Sequence, residues 1–209
     1  MTTDSGIREA IVTERTELAD ILDGLDEEAW DHPSLCAGWR VREVVAHITM
    51  AFRYSLPRVA LEMVKSRGRF DAMADRRARV DADELSVREL AAAVRDNIHH
   101  PWKPPGGGLA GALSHDTIHG LDITTPLGID WKVPEERMRM IHRGMRPKNI
   151  AFFGVDLDDI ELRADDMDWS YGTGEPVEGT AQDLLLVLCG RTLPPGRLRG
   201  APSSRFTRG

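Results

Sequence analysis

Cysteine is scarce in this 209-residue chain: Cys36 and Cys189 are the only two, which leaves no disulfide framework and no cysteine-based zinc site to expect. A reducing compartment fits that count. Long apolar runs are lacking too. The longest, Leu184 to Cys189, is far short of a membrane span, so the expectation is a cytoplasmic protein with no membrane partner. Residues Met1 to Arg15 carry Asp4, Glu9 and Glu14 without an apolar stretch and do not read as a secretory signal. Basic excess is missing as well: 27 Lys and Arg against 34 Asp and Glu give a net charge of −7, which argues against nucleic acid as partner. The arginines that do gather, at Arg191, Arg197, Arg199, Arg205 and Arg208, lie in a Pro/Gly/Ser-rich stretch that reads as a flexible, solvated tail. Gly106-Gly107-Gly108 lacks the Gly-Lys-Ser/Thr ending and the preceding strand of a phosphate loop.

What is there is mostly helix. Ile7, Ile11, Leu18, Ile21 and Leu22 recur at helical spacing between Ser5 and Leu25. Trp30 to Trp39, broken by Pro33 and Gly38, reads as a packed loop. A second helix from about Val41 carries Val44, Val45, Ile48, Ala51 and Phe52, with Pro57 to kink or end it. Arg67 to Asp83 is polar and arginine-rich. Ser86 with Glu89 forms a capping box that starts a third helix through Leu90, Val94 and Ile98 to His99, stopped by His100-Pro101. A fourth helix runs from about Leu109 to Thr125, and Pro134 to Lys148 reads as a fifth with proline at its first position. After Ile150 the character changes. Ile160 to Ala164 alternates like a strand, Asp168 to Gly174 reads as a second strand and turn, and Thr180 with Asp183 caps a short apolar helix ending at Gly190. The expected architecture is mainly α: a helical bundle over residues 1–150, then a small α+β region over 151–209.

The richest motif lies on the fourth helix. His115 and His119 are one turn apart, at i and i+4, so both imidazoles project from one face and can reach a single divalent ion. His47 sits on the second helix among Val44, Val45, Ile48 and Ala51, at the edge of its core face. Alone it reads as a buried histidine satisfied by a carbonyl or carboxylate. The three together favour a metal, since three imidazoles with an open fourth position are the donor set of a catalytic zinc in a bundle. Zinc or nickel suits imidazole by softness.

Helical geometry nominates neighbours. Asp122, three residues after His119, is placed to accept a hydrogen bond from an imidazole N–H. Tyr54, two turns beyond His47, lines the pocket or merely packs. Asp116, about 100° from His115 on the wheel, reads as a surface charge, and Glu43 as a neighbour of the site or a solvated partner of an arginine. Cys36 reads as a small buried side chain, because a helix from Arg40 puts it over ~10 Å from His47. His32, His99, His100 and His142 have no partner at ligand spacing. A substrate role remains open for His99 or His100. No protein residue is nominated as the catalytic group.

Pro33-Ser34-Leu35-Cys36-Ala37-Gly38 followed by Trp39-Arg40-Val41-Arg42-Glu43-Val44-Val45-Ala46-His47-Ile48 resembles the N-terminal signature of the mycothiol-dependent maleylpyruvate isomerase family, part of the DinB-like superfamily. Asp168 to Gly172 and Leu184 to Arg191 are similar to that family's small C-terminal region. The resemblance implies a four-helix bundle with one metal, often zinc, held by His47, His115 and His119. It also implies mycothiol as thiol cosubstrate. The first residue of the pair is Glu in the isomerase itself and His115 here, so the ligand set is closer to all-histidine DinB-like proteins, and maleylpyruvate itself is not implied as substrate.

Three functions compete. One is a metal-dependent isomerase or S-transferase in which a low-molecular-weight thiol acts on a small electrophilic substrate, as monomer or homodimer. Another is a hydrolase, since His115-Asp116-Thr117-Ile118-His119 is one carboxylate away from a zincin motif, with Asp116 as general base. The third is a non-catalytic metal-binding protein.

Overall fold

The computed structural model describes residues 3–208. They form two compact units, residues 3–123 and residues 124–208. The division therefore falls well before the expected 150/151. The reason is packing: the Gln182 side chain accepts from Val133 N and donates to Trp131 O, which ties the segment after residue 123 to the C-terminal unit.

In the first unit the helices are α1 (Asp4–Asp23), α2 (Glu27–Asp31), α3 (Val41–Arg53), α4 (Leu56–Lys65), α5 (Phe70–Glu84), α6 (Val87–Arg95) and α7 (Gly108–Thr124). Helix α3 packs against α5 and α6, α1 packs against α6, and α7 meets α1 through Arg15 and Asp116 and α3 through the rings of His47, His115 and His119. Helix α3 buries Val41, Val44, Val45 and Ile48, and α6 buries Leu90 and Val94. The Ser86 capping box forms: Glu89 N donates to Ser86 Oγ and Ser86 N to Glu89 Oε2. Pro57 does not kink α3. It sits in the first turn of the separate α4, where its missing N–H costs nothing.

Helix α5 occupies the stretch whose charges gave no apolar period. Its inner face is Ala74, Ala78 and Ala82 with Met73, small residues at i, i+4 and i+8 that let α5 approach α3 closely. Arg77 and Asp81 are buried among them as an ion pair.

The second unit contains α8 (Glu135–Gly144), α9 (Pro147–Phe152), β1 (Ile160–Ala164), β2 (Ser170–Gly172), β3 (Glu175–Gly179), α10 (Ala181–Leu188) and a 3-10 helix, Ala201–Phe206. The single helix expected over Pro134 to Lys148 is two, because Pro147 disfavours helix at Arg146 and starts α9. Pro134 is the N-cap of α8 rather than its first residue. The sheet order is β2-β1-β3, with Leu162 opposite Tyr171 in the antiparallel pair and opposite Val177 in the parallel one. Strand β3 escaped the sequence reading because Pro176 interrupts it, which an edge strand tolerates. At Gly174, φ +139°, a Cβ would lie 2.1 Å from the Asp159 carbonyl, so only glycine turns the chain there.

The C-terminal stretch is not a loose tail. Leu193, Leu198 and Phe206 are buried, and Arg197, Arg199 and Arg205 pair with Asp183, Asp165 and Asp156. Ion pairing takes up three of the five arginines that composition alone assigned to solvent.

Candidate metal centre

Helix α7 is buried on nearly every side, with Ala112, Leu113, Thr117, Ile118 and Leu121 inside, so any polar residue on it needs a partner. Its histidines find theirs in carboxylates. His115 Nδ1 lies 3.0 Å from Asp116 Oδ1, and His119 Nδ1 lies 2.9 Å from Asp122 Oδ2. A carboxylate at Nδ1 accepts the ring proton there and leaves the Nε2 lone pair free for an ion. The His47 ring from α3 completes the group: the ring centroids are 5.4 Å (47 to 115), 4.9 Å (47 to 119) and 4.7 Å (115 to 119) apart. One donor nitrogen from each of the three rings falls within 4.8 Å of the other two. A neutral set of borderline donors, two of them backed by carboxylates, fits a zinc-like dication.

Asp116 is not a surface charge. It is 1% exposed, and its second oxygen accepts from Arg15 Nε at 2.7 Å. Arg15 reaches it from α1, donates Nη1 to the His100 carbonyl at 2.7 Å, and lies 4.9 Å over the Phe52 ring. A carboxylate held between a guanidinium and an imidazole is no general base for water, which removes the support for the hydrolase reading. The sequence did carry a signal here: Arg15 stands on the same stripe as Ile11, Leu18 and Leu22, a charge on a buried face.

Cys36 also lies elsewhere than expected. Helix geometry measured its distance to His47, but its neighbours are on α7: Sγ donates to Asp122 Oδ2 at 3.0 Å and lies 3.9 Å from His119 Nδ1. The loop doubles back to put it there. Pro33 bridges to Arg40, Gly38 takes φ +76°, Ser34 Oγ donates to Trp39 O at 2.8 Å, and Leu35 N donates to Asp122 O at 3.0 Å.

Two tryptophans wall the site. Trp39 packs 5.2 Å from His47 and is fixed by Nε1 donating to Asp75, and Trp102 packs edge-on 5.0 Å from His115. Trp102 comes from an irregular loop, and no spacing in the sequence announces it. His100 holds that loop: its Nδ1 accepts from Trp102 N, its ring packs on Phe52, and burial lowers its pKa, with Arg15 adding to the effect.

Other nominated residues lie in other clusters. The Tyr54 hydroxyl donates to Asp81 at 2.8 Å and accepts from Arg77 Nε at 2.6 Å, with Arg58 stacked 3.9 Å over the ring. Glu43 is buried and accepts from Arg40 N and its guanidinium, capping α3. His32 Nδ1 bonds to the Pro33 carbonyl on the surface, and His142 belongs to the second unit, stacked on Trp169.

The family model of the mycothiol maleylpyruvate isomerase N-terminal domain matches residues 11–123. The crystal structure of the mycothiol-dependent maleylpyruvate isomerase superposes with a TM-score of 0.56 at 11% identity, covering 95% of this chain and 93% of that one. A variant of that enzyme superposes at 0.53 and 15% identity with the same coverage. Uncharacterised proteins from two strains of Mycobacterium tuberculosis are 25% identical over 85% of this chain and 82% of theirs. At these identities the solved structures establish the fold. No helix among the described residues is long and apolar enough to cross a membrane.

Proposed function

Because the chain belongs to the mycothiol maleylpyruvate isomerase N-terminal domain family, we propose that it is a metal-dependent enzyme in which a low-molecular-weight thiol, mycothiol first, acts on a small electrophilic substrate by isomerisation or S-transfer. The observation that carries this reading is the gathering of His47, His115 and His119 with carboxylates behind two of the rings. These three residues would hold one divalent ion, zinc or nickel by donor type. Such an ion supplies uncompensated positive charge, which lowers the pKa of a thiol and favours the thiolate.

The chain's own residues prepare that environment. Asp116 and Asp122 accept the Nδ1 protons of His115 and His119, which fixes the tautomer and aims both rings. Arg15 fixes Asp116 in turn. Trp39 and Trp102 keep water from the flanks of the site, and less water strengthens the electrostatics inside it. The attacking sulfur then belongs to the cosubstrate, and no protein nucleophile is needed. The reading places the protein in the cytoplasm with its thiol, as monomer or homodimer.

Cobalt substitution tests it. Adding mycothiol to the cobalt-loaded protein should produce new sulfur-to-cobalt charge-transfer absorption. A spectrum unchanged at saturating mycothiol, with no thiol-stimulated reaction on any small electrophile, would replace the enzyme with a non-catalytic metal-binding protein.

A further inference from the structure

A second triad of donors lies behind the first and shares one ring with it. Cys36 Sγ, His119 Nδ1 and Asp122 Oδ2 stand 3.0 Å (Cys36 to Asp122), 2.9 Å (His119 to Asp122) and 3.9 Å (Cys36 to His119) apart. We propose that Cys36, His119 and Asp122 form a separate site for a soft, thiophilic dication such as cadmium, and that it competes with the three-imidazole set for His119. The competition rests on the reading of His119 as a metal ligand.

Size, charge and softness support it. Donors around a tetrahedral ion with bonds of about 2.0–2.3 Å sit roughly 3.3–3.8 Å apart. Those are zinc-sized edges, and a larger soft ion spreads its donors further: the Cys36–His119 edge already has the width, and the Asp122 carboxylate must move back from both to admit the ion. Charge then balances: a thiolate and a carboxylate together neutralise a dication, whereas three neutral imidazoles leave it fully charged. Asp122 is 0% exposed, and a neutral cluster is the cheaper one to hold in such a place. Thiolate donors also select soft ions, while imidazole suits borderline ones. The loop from Pro33 to Arg40 is already closed and pinned to α7 through Leu35, so little ordering is left to the ion.

Proton accounting makes the two triads exclusive. A neutral imidazole carries one N–H. When an ion takes His119 Nδ1, that proton moves to Nε2, and Nε2 no longer has a lone pair for the His47 and His115 side. The Cys36 thiol loses its proton to the buffer, so one proton is released for each ion bound and nothing is oxidised or reduced.

The test titrates the metal-free protein, in the absence of any small thiol, with cadmium chloride and in parallel with cobalt chloride. Cadmium should raise an ultraviolet sulfur-to-cadmium charge-transfer band that saturates at one equivalent. The band should persist in His47→Ala and Cys189→Ser and vanish in Cys36→Ser. Cadmium NMR of the wild-type protein, which reads a sulfur donor directly, gives the answer without any variant. Absence of the band and of the sulfur-shifted resonance in the wild type overturns the proposal, as does a band that survives Cys36→Ser. The two readings separate cleanly. Cobalt uptake with no cadmium–sulfur signal defeats the Cys36 site alone, and a cadmium–sulfur signal with no cobalt uptake defeats the three-imidazole site alone.

Discussion

Arg15 on α1 donates Nε to Asp116 on α7 at 2.7 Å with both side chains 1% exposed, and the other oxygen of Asp116 faces His115 Nδ1 at 3.0 Å. One buried ion pair thus joins two helices and orients a candidate ligand. Its geometric role and its stabilising role can be measured separately.

Removing the guanidinium leaves Asp116 as a buried carboxylate with only an imidazole to answer it. Arg15→Met should therefore destabilise the protein by roughly 3–5 kcal/mol in urea unfolding. The double variant with Asp116→Asn should recover part of that loss, because no charge is then stranded. A single-variant change under about 1 kcal/mol would show that water reaches the pair.

His115→Ala and His119→Ala should each abolish binding of one zinc-like ion per chain, read by elemental analysis after gel filtration. His47→Ala should do the same for a zinc-like ion. Full occupancy in that variant would take His47 out of the donor set.

Asp122→Asn keeps the size of the side chain but no longer accepts the His119 Nδ1 proton as a carboxylate does. Metal affinity should fall by about 10–100-fold while the circular dichroism spectrum stays helical. Unchanged affinity, measured by competition with a chromophoric chelator, would reduce Asp122 to a packing residue.

Burial against Trp169 pushes His142 from 6.5 down to about 4, with a small opposing effect from the Ala181 backbone. The folded state keeps this ring neutral while the unfolded chain takes up a proton below about pH 6.5. Its stabilising contribution is therefore complete above that pH and is lost as pH falls from there through about 4, at most about 3 kcal/mol. His142→Gln should flatten that part of the stability–pH curve relative to wild type. Parallel curves for the two proteins in urea unfolding would mean that the ring is solvated in the folded state.

What the sequence determined by itself is what is encoded within a turn or two of chain. The Ser86–Glu89 box, the strand at Ile160 to Ala164 and the common face of His115 and His119 all follow from neighbours three or four residues away, and the Trp39 to Ile48 signature pointed to the family. Tertiary structure decided the rest. Helix α5 was hidden because alanines pack by closeness rather than by apolar bulk, and the C-terminal arginines looked solvated because their carboxylate partners lie on other segments. Asp116 became a buried anchor only when Arg15, 101 residues away, closed on it, and Cys36 met Asp122 across 86 residues through a loop that folds back on α7. A helical wheel fixes direction around one axis. Which axis lies opposite is set by burial and charge pairing between segments far apart in the chain, and that is where the surroundings of the candidate centre are made.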